Sequence, residues 1–140
     1  MPDGFTVVPL TEIPEVPGPE PDDPEWKPVR HFLRLRSFGA NAFLAPDAGR
    51  RLVVDHVEEE TGHEELYAVL TGRATFTIEG EEYDCPAGTL VAVRDPAVRR
   101  YAESAEPGTT VLAIAGVPGQ AYELSAWDRR WTSDLPQAAP

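Results

Sequence analysis

Between positions 56 and 65 stand the side chains of this sequence best suited to chemistry: His56, Glu58, Glu60, His63 and Glu65. Imidazole nitrogens and carboxylate oxygens together are donors that divalent zinc, manganese, iron or nickel accept, and the same groups exchange protons when no ion is held. His56, Glu58 and Glu60 alternate, so on a strand they face one side. His63 and Glu65 share a parity with Tyr67 and Val69, and a strand already running at position 63 aims all four to one face. Burying several carboxylates in an apolar enclosure is costly unless a cation, a proton or hydrogen-bond donors compensate. Two compensations stay open on the residues alone. One is a divalent ion held by some of His56, Glu58, His63 and Glu65; the other is a hydrogen-bonded polar pocket without metal.

The elements that must position these residues are short strands. Leu66 to Leu70 is an apolar run closed by Thr71-Gly72, and Ala74, Phe76 and Ile78 then alternate with Thr75, Thr77 and Glu79, the period of a half-buried strand. Glu79-Gly80 and Pro86-Ala87-Gly88 are turns, and Thr89 to Val93 is the third strand of the stretch. Upstream, Asn41 to Ala45 and Arg51 to Glu58 read as strands around the turn Pro46-Asp47-Ala48-Gly49, followed by a polar loop from Glu59 to Gly62. Downstream, Arg99 to Glu103 is a modest strand and Thr109 to Ala115 a buried one, joined through Glu106-Pro107-Gly108. Only one of Arg99 and Arg100 can face a pocket, because neighbours on a strand point oppositely. Trp26 to Phe38 fits a short helix or turn leading into a strand. Ser125 and Asp128 form a shortened capping box, which predicts one or two helical turns over Ala126 to Trp131 with Trp127 and Trp131 on one face. Those rings are expected to plug a barrel end or pack on its outside, with ligand stacking as the alternative.

Glu65 is followed by six residues and Gly72, and Gly80 by five residues and then Pro86-Ala87-Gly88. That frame resembles the cupin family: the second half of its first motif (Glu65, Gly72) and the first half of its second (Gly80, Pro86, Gly88) match position for position. The resemblance extends more loosely over about residues 40 to 117. It implies an all-β fold, an antiparallel double-stranded β-helix or jelly-roll barrel whose inward side chains form the site. At the metal positions the sequence departs from the family. Val91 stands where the second motif has its metal-binding His, and Asp95 where it has Asn. Counting back from Glu65 puts Glu58 and Glu60 at the two His of the first motif; a loop two residues longer puts His56 and Glu58 there, and Gly49 favours this second register.

The chain has 140 residues, one domain's worth. Its net charge of −12 argues against a nucleic-acid partner, which needs clustered Lys and Arg. Residues 1–25 carry −7 of that charge, seven acids with no Lys or Arg, together with seven of the 15 prolines. Such a segment is expected to be extended: either a solvated tail, or an arm lying along its own or a partner subunit on Phe5, Val7, Val8, Leu10 and Ile13. No apolar run approaches the roughly 18 residues of a membrane helix, and no basic-then-apolar leader opens the sequence. The single cysteine, Cys85, reads as a small packed strand residue and suits a reducing cytoplasm.

The sequence therefore predicts an acidic, Pro-rich extended arm over 1–27, a cupin-type barrel over 28–119 and a tail with a short helix over 120–140. Leu66, Ala68 and Leu70 face away from Tyr67 and Val69, which points to a homodimer, as the resemblance also does. The expected pocket gathers His56, Glu58, His63, Glu65, Tyr67 and Val91 around a small-molecule ligand. Its first functional reading is a module that binds a small polar molecule without turning it over. The alternative is a divalent-metal-dependent enzyme of the dioxygenase, isomerase or decarboxylase kinds, and a metal-free sugar isomerase or epimerase is a third.

Overall fold

In the computed structural model, which describes residues 4–140, the alternating runs become two antiparallel sheets packed face to face. The strands are β1 (Val16–Pro17), β2 (Glu25–Lys27), β3 (Gly39–Ala45), β4 (Arg51–His56), β5 (Glu64–Thr71), β6 (Arg73–Ile78), β7 (Glu81–Pro86), β8 (Leu90–Val93), β9 (Arg100–Ser104) and β10 (Thr109–Gly116). The large sheet runs β1-β2-β3-β10-β5-β8 and the small one β4-β9-β6-β7. Strands distant in sequence, β3 with β10 and β4 with β9, lie side by side, so the chain passes repeatedly between sheets, as jelly rolls do. The expected all-β antiparallel fold is the observed one.

Between the sheets the inward residues form one core. It includes Leu52, Tyr67, Val69, Phe76, Ala102 and Val111, each at most 1% exposed, with the rings of Tyr67 and Phe76 5.4 Å apart. Cys85 joins this core at 2% exposure and is free. Two glycines set the frame. The β6–β7 turn has only Glu79 and Gly80 between the paired residues Ile78 and Glu81, and both central residues take positive φ (48° and 82°), the requirement of a tight hairpin that follows the sheet twist. At Gly72 (φ 73°) a β-carbon would stand 2.7 Å from the Thr109 Cα, so β10 can approach only a residue without a side chain.

Two local expectations need correction. The stretch after Glu65 holds four strands rather than three, because Glu81–Pro86 is itself a strand. Its polar composition hid it: β7 is the edge of the small sheet, and Glu81, Glu82, Tyr83 and Asp84 are exposed while Cys85 turns inward. Charged edge strands resist pairing with another chain, so their apolar pattern is thin. The strand expected over Arg51 to Glu58 ends at His56, and irregular registers with β9 flank Val53. Leu52 and Val53 are both buried in consequence, a reset of parity that a bulge produces and alternation does not foresee.

The amino-terminal segment lies along its own barrel. β2 extends the large sheet beside β3 (Trp26 opposite Phe43), and Ile13, 3% exposed, packs with Val29, Ala40 and Ala42 on the outer face of that sheet. Val8 and Leu10 join this cluster; Phe5 and Val7 do not anchor the arm, being 65% and 89% exposed. Buried Lys27 ties the arm down, its Nζ donating to the carbonyls of Leu10 (2.9 Å) and Ile13 (3.0 Å). A short helix α1 (Val29–Phe32) follows β2, then the remaining strands, and α2 (Ala126–Thr132) is the last element, beyond which the Ala138 N–H donates back to the Phe32 carbonyl (2.7 Å). The Ser125 hydroxyl accepts from the Asp128 N–H at 3.1 Å, which is the cap the sequence predicts. Arg30 of α1 grips the Asp128 carboxylate through Nε (3.3 Å) and Nη2 (3.1 Å), so the two helices hold each other. Among the described residues no helix is long and apolar enough to cross a membrane.

Candidate functional site

Register brings the chemistry together. His56 ends β4 opposite Arg100 of β9, both on the inner side of the small sheet, while Glu65 and Tyr67 alternate inward on β5 of the large one. Glu58 lies in the loop after β4. Its N–H donates to the Pro96 carbonyl (2.8 Å) and its Oε2 accepts from the Thr61 hydroxyl (2.6 Å), which turns its Oε1 back toward His56.

The donors and acceptors interlock. His56 Nε2 is 2.9 Å from Glu58 Oε1 and 3.4 Å from Glu65 Oε1, and its Nδ1 is 2.6 Å from the Val54 carbonyl oxygen. All three are acceptors when the carboxylates are ionised, so both ring nitrogens carry protons. Glu65 Oε1 also accepts from the Tyr67 hydroxyl (2.8 Å) and from Arg100 Nη1 (2.6 Å). The Arg100 side chain is 0% exposed and spends its Nε and Nη2 on the Val98 carbonyl. Burial works against a charge on His56, but its bonds to Glu58, Glu65 and the Val54 carbonyl outweigh burial and push its pKa up to about 10. Burial likewise opposes ionisation of Glu58, yet the His56 and Thr61 hydrogen bonds bring it down to about 2. Burial and the neighbouring Glu65 carboxylate raise Tyr67 well above the ordinary phenol value, so its hydroxyl remains a donor.

A cavity of about 510 Å³ opens in front of this group. Its walls come from both sheets and both chain ends: Phe43, Leu52 and Tyr67 from the barrel, Val16, Pro17 and Trp26 from the arm, Trp127 and Trp131 from α2. A second cleft of about 790 Å³ meets it at Asn41, Glu58, Glu65, Ala113 and Trp127, and is otherwise more polar.

His56, Glu58, Glu65 and Tyr67, four of the residues expected at the pocket, thus meet at one point. His63 does not join them. It precedes β5 rather than lying on it, and its ring stacks on Tyr122 with centroids 5.9 Å apart, on the wall of the second cleft. Val91 is paired opposite Tyr67 and packs against the core, offering no donor where the second motif has its ligand. Glu60 is exposed in the loop. Arg100 is the residue that sequence reasoning left unassigned. Arg99 points outward to Asp55 (3.1 Å), and the signal that selects Arg100 is its parity with the small, buried Ala102 and Ser104.

His56, Glu58 and Glu65 form a donor set able to hold a metal ion, with one ligand atom from each lying within 4.8 Å of the others. Two carboxylates face two fixed cations, the His56 imidazolium and the Arg100 guanidinium, so the group is already neutral. An ion there would take the place of the His56 Nε2 proton, with the buried Arg100 guanidinium on Glu65 beside it.

The fold is that of the cupins. Solved structures similar to the chain include a cupin protein from Bacteroides fragilis, 19% identical over 97% of this chain and 99% of that one with a TM-score of 0.64. KdgF from Halomonas sp. is 19% identical over 87% and 96% with a TM-score of 0.63. A predicted oxalate decarboxylase from Thermotoga maritima is 16% identical over 80% and 99% with a TM-score of 0.61. These likenesses bear out the resemblance carried by Glu65, Gly72, Gly80, Pro86 and Gly88, at the level of fold. At the level of sequence, no family model and no curated protein matches.

Proposed function

We propose that this chain is a cupin-fold binding module whose barrel mouth holds the polar end of a small molecule against His56, Glu58 and Glu65, without a resident metal and without turning the ligand over. One observation carries the reading: Arg100, wholly buried, donates to Glu65 Oε1 at 2.6 Å and supplies from the protein the positive charge that an ion would otherwise bring. The polar group then offers carboxylate acceptors at the base of an apolar cavity, the pattern of a small-ligand site.

A second reading, the divalent-metal-dependent enzyme, is favoured by the anchoring of His56. Its Nδ1 sits on a backbone carbonyl, as in many metal-binding histidines, and leaves Nε2 facing two carboxylates. Metal analysis of untagged protein and melting curves with zinc, manganese, iron(II) or nickel separate the two. The binding-module reading expects no stoichiometric ion and no ion-dependent rise in Tm for the parent, because a ligand of the folded state alone raises apparent stability. It expects Arg100→Met to cost roughly 3–5 kcal/mol and to gain an ion-dependent rise in Tm, while Arg100→Lys keeps the parental indifference. A bound ion in the parent would overturn it in favour of the enzyme.

The same proposal includes a second copy of the chain as partner. Leu66, Leu70 and Leu90 are 37%, 45% and 66% exposed on the outer face of the large sheet. They continue the face that the arm and α1 cover over β3 and β10, since Leu66 pairs with Ile114 and Ala68 with both Leu112 and Leu90.

A further inference from the structure

We infer that the ligand of the barrel mouth is an organic cation, an alkylammonium head on a small apolar body. This deepens the binding-module reading and rests on it. The cavity of about 510 Å³ is walled by the rings of Trp26, Phe43, Tyr67, Trp127 and Trp131. Trp127 and Trp131 remain 50% and 47% exposed although they border an apolar space, and Trp26 lies 5.0 Å from Trp127 with its N–H already given to Asn41 Oδ1 (2.7 Å). The Trp26 donor is therefore spent, and the cavity wall is rich in aromatic surface. A ring face attracts a cation, and Trp131 already carries one: the Arg130 guanidinium stands 5.8 Å from its centroid.

The charged residues agree in sign. Asp23, Glu58 and Glu65 line the cavity, Glu60, Glu123 and Asp128 line the adjoining cleft, and no Lys or Arg among the described residues lines either. Three of these carboxylates are paired with arginines, and each of those pairs is oriented alike. Arg51 at 3.1 Å from Asp23, Arg100 at 2.6 Å from Glu65 and Arg30 at 3.1 Å from Asp128 stand outside the lining, so the carboxylate is the end turned to the ligand. His56 is the one cationic wall group of the cavity, and it sits between two carboxylates. Arg34, Arg36 and Arg129 gather instead around a separate cleft of about 590 Å³. An anion is attracted there, not to the barrel mouth.

The test compares three probes of one shape: choline, its neutral isostere 3,3-dimethylbutan-1-ol, and the anion 3,3-dimethylbutanoate, each titrated into the full chain with tryptophan fluorescence and calorimetry as readouts. Choline is expected to bind about tenfold more tightly than the alcohol, with the carboxylate weakest, and Trp131→Ala to lose that preference while Trp131→Phe keeps most of it. Trp131 is half exposed, so the alanine variant tests the ring rather than the fold. Equal binding of choline and the alcohol, or tighter binding of the anion, overturns the cation inference and leaves the binding module standing. Failure of choline to bind at all also overturns it; a panel of neutral fragments, with the same fluorescence readout, then decides separately whether the cavity binds any small molecule.

Discussion

His56 and Glu58 stabilise the fold from opposite sides of the pH scale. The folded protein raises His56 from 6.5 to about 10, so its contribution is complete below pH 6.5 and is lost as pH climbs through about 10. It lowers Glu58 from 4.5 to about 2, so that contribution is complete above pH 4.5 and is lost as pH falls through about 2. Thermal melts across pH are therefore expected to show this pair's full stabilisation between pH 4.5 and 6.5, with an alkaline decline that His56→Gln flattens. A parent and variant falling in parallel between pH 7 and 10 would contradict it. At this scale much of the polar group was legible, because His56, Glu58 and Glu65 are acids and bases spaced for one face. Arg100 was not: nothing local separates it from Arg99, and only the positions of β9 and its small inward residues do.

Turns carry the next scale. Gly80 and Gly72 both take positive φ, but a β-carbon on Gly80 meets nothing within 4 Å whereas one on Gly72 meets the Thr109 backbone. Gly80→Ala is expected to cost about 1 kcal/mol, the strain of a left-handed conformation alone. Gly72→Ala is expected to cost more, since β10 must also move; urea denaturation that ranks the two the other way would refute the close approach as its cause. Elements with strict alternation or β-branched runs, such as β6 and β10, could be read from sequence, as could the capped α2. Charged β7 and bulged β4 could not, because an edge strand keeps few apolar residues and a bulge breaks the period on which such reading depends.

For the whole molecule, the proposed pairing of two copies makes a direct claim about mass. Light scattering at micromolar concentration is expected to give a dimer, and Leu90→Glu, a charge on the bare half of the large sheet, to give a monomer with unchanged circular dichroism. A monomeric parent would remove the claim. The barrel itself was visible in the sequence because glycine and proline punctuate it at fixed intervals; the cavity was not, since its roof joins residues more than a hundred positions apart. That roof has a further consequence. Val16, Pro17 and Trp26 close the cavity from one end of the chain, and Trp127 and Trp131 close it from the other. Val16, Pro17 and Trp26 belong to the outermost strands of the large sheet, and α2 is clasped to α1 through Arg30 and Asp128, so both segments lie at the margin of the molecule, where local opening costs least. Occupancy of the cavity and closure of the two termini are then one equilibrium: a bound guest slows amide exchange at both ends together, and loosening either end weakens binding without touching the group at its base.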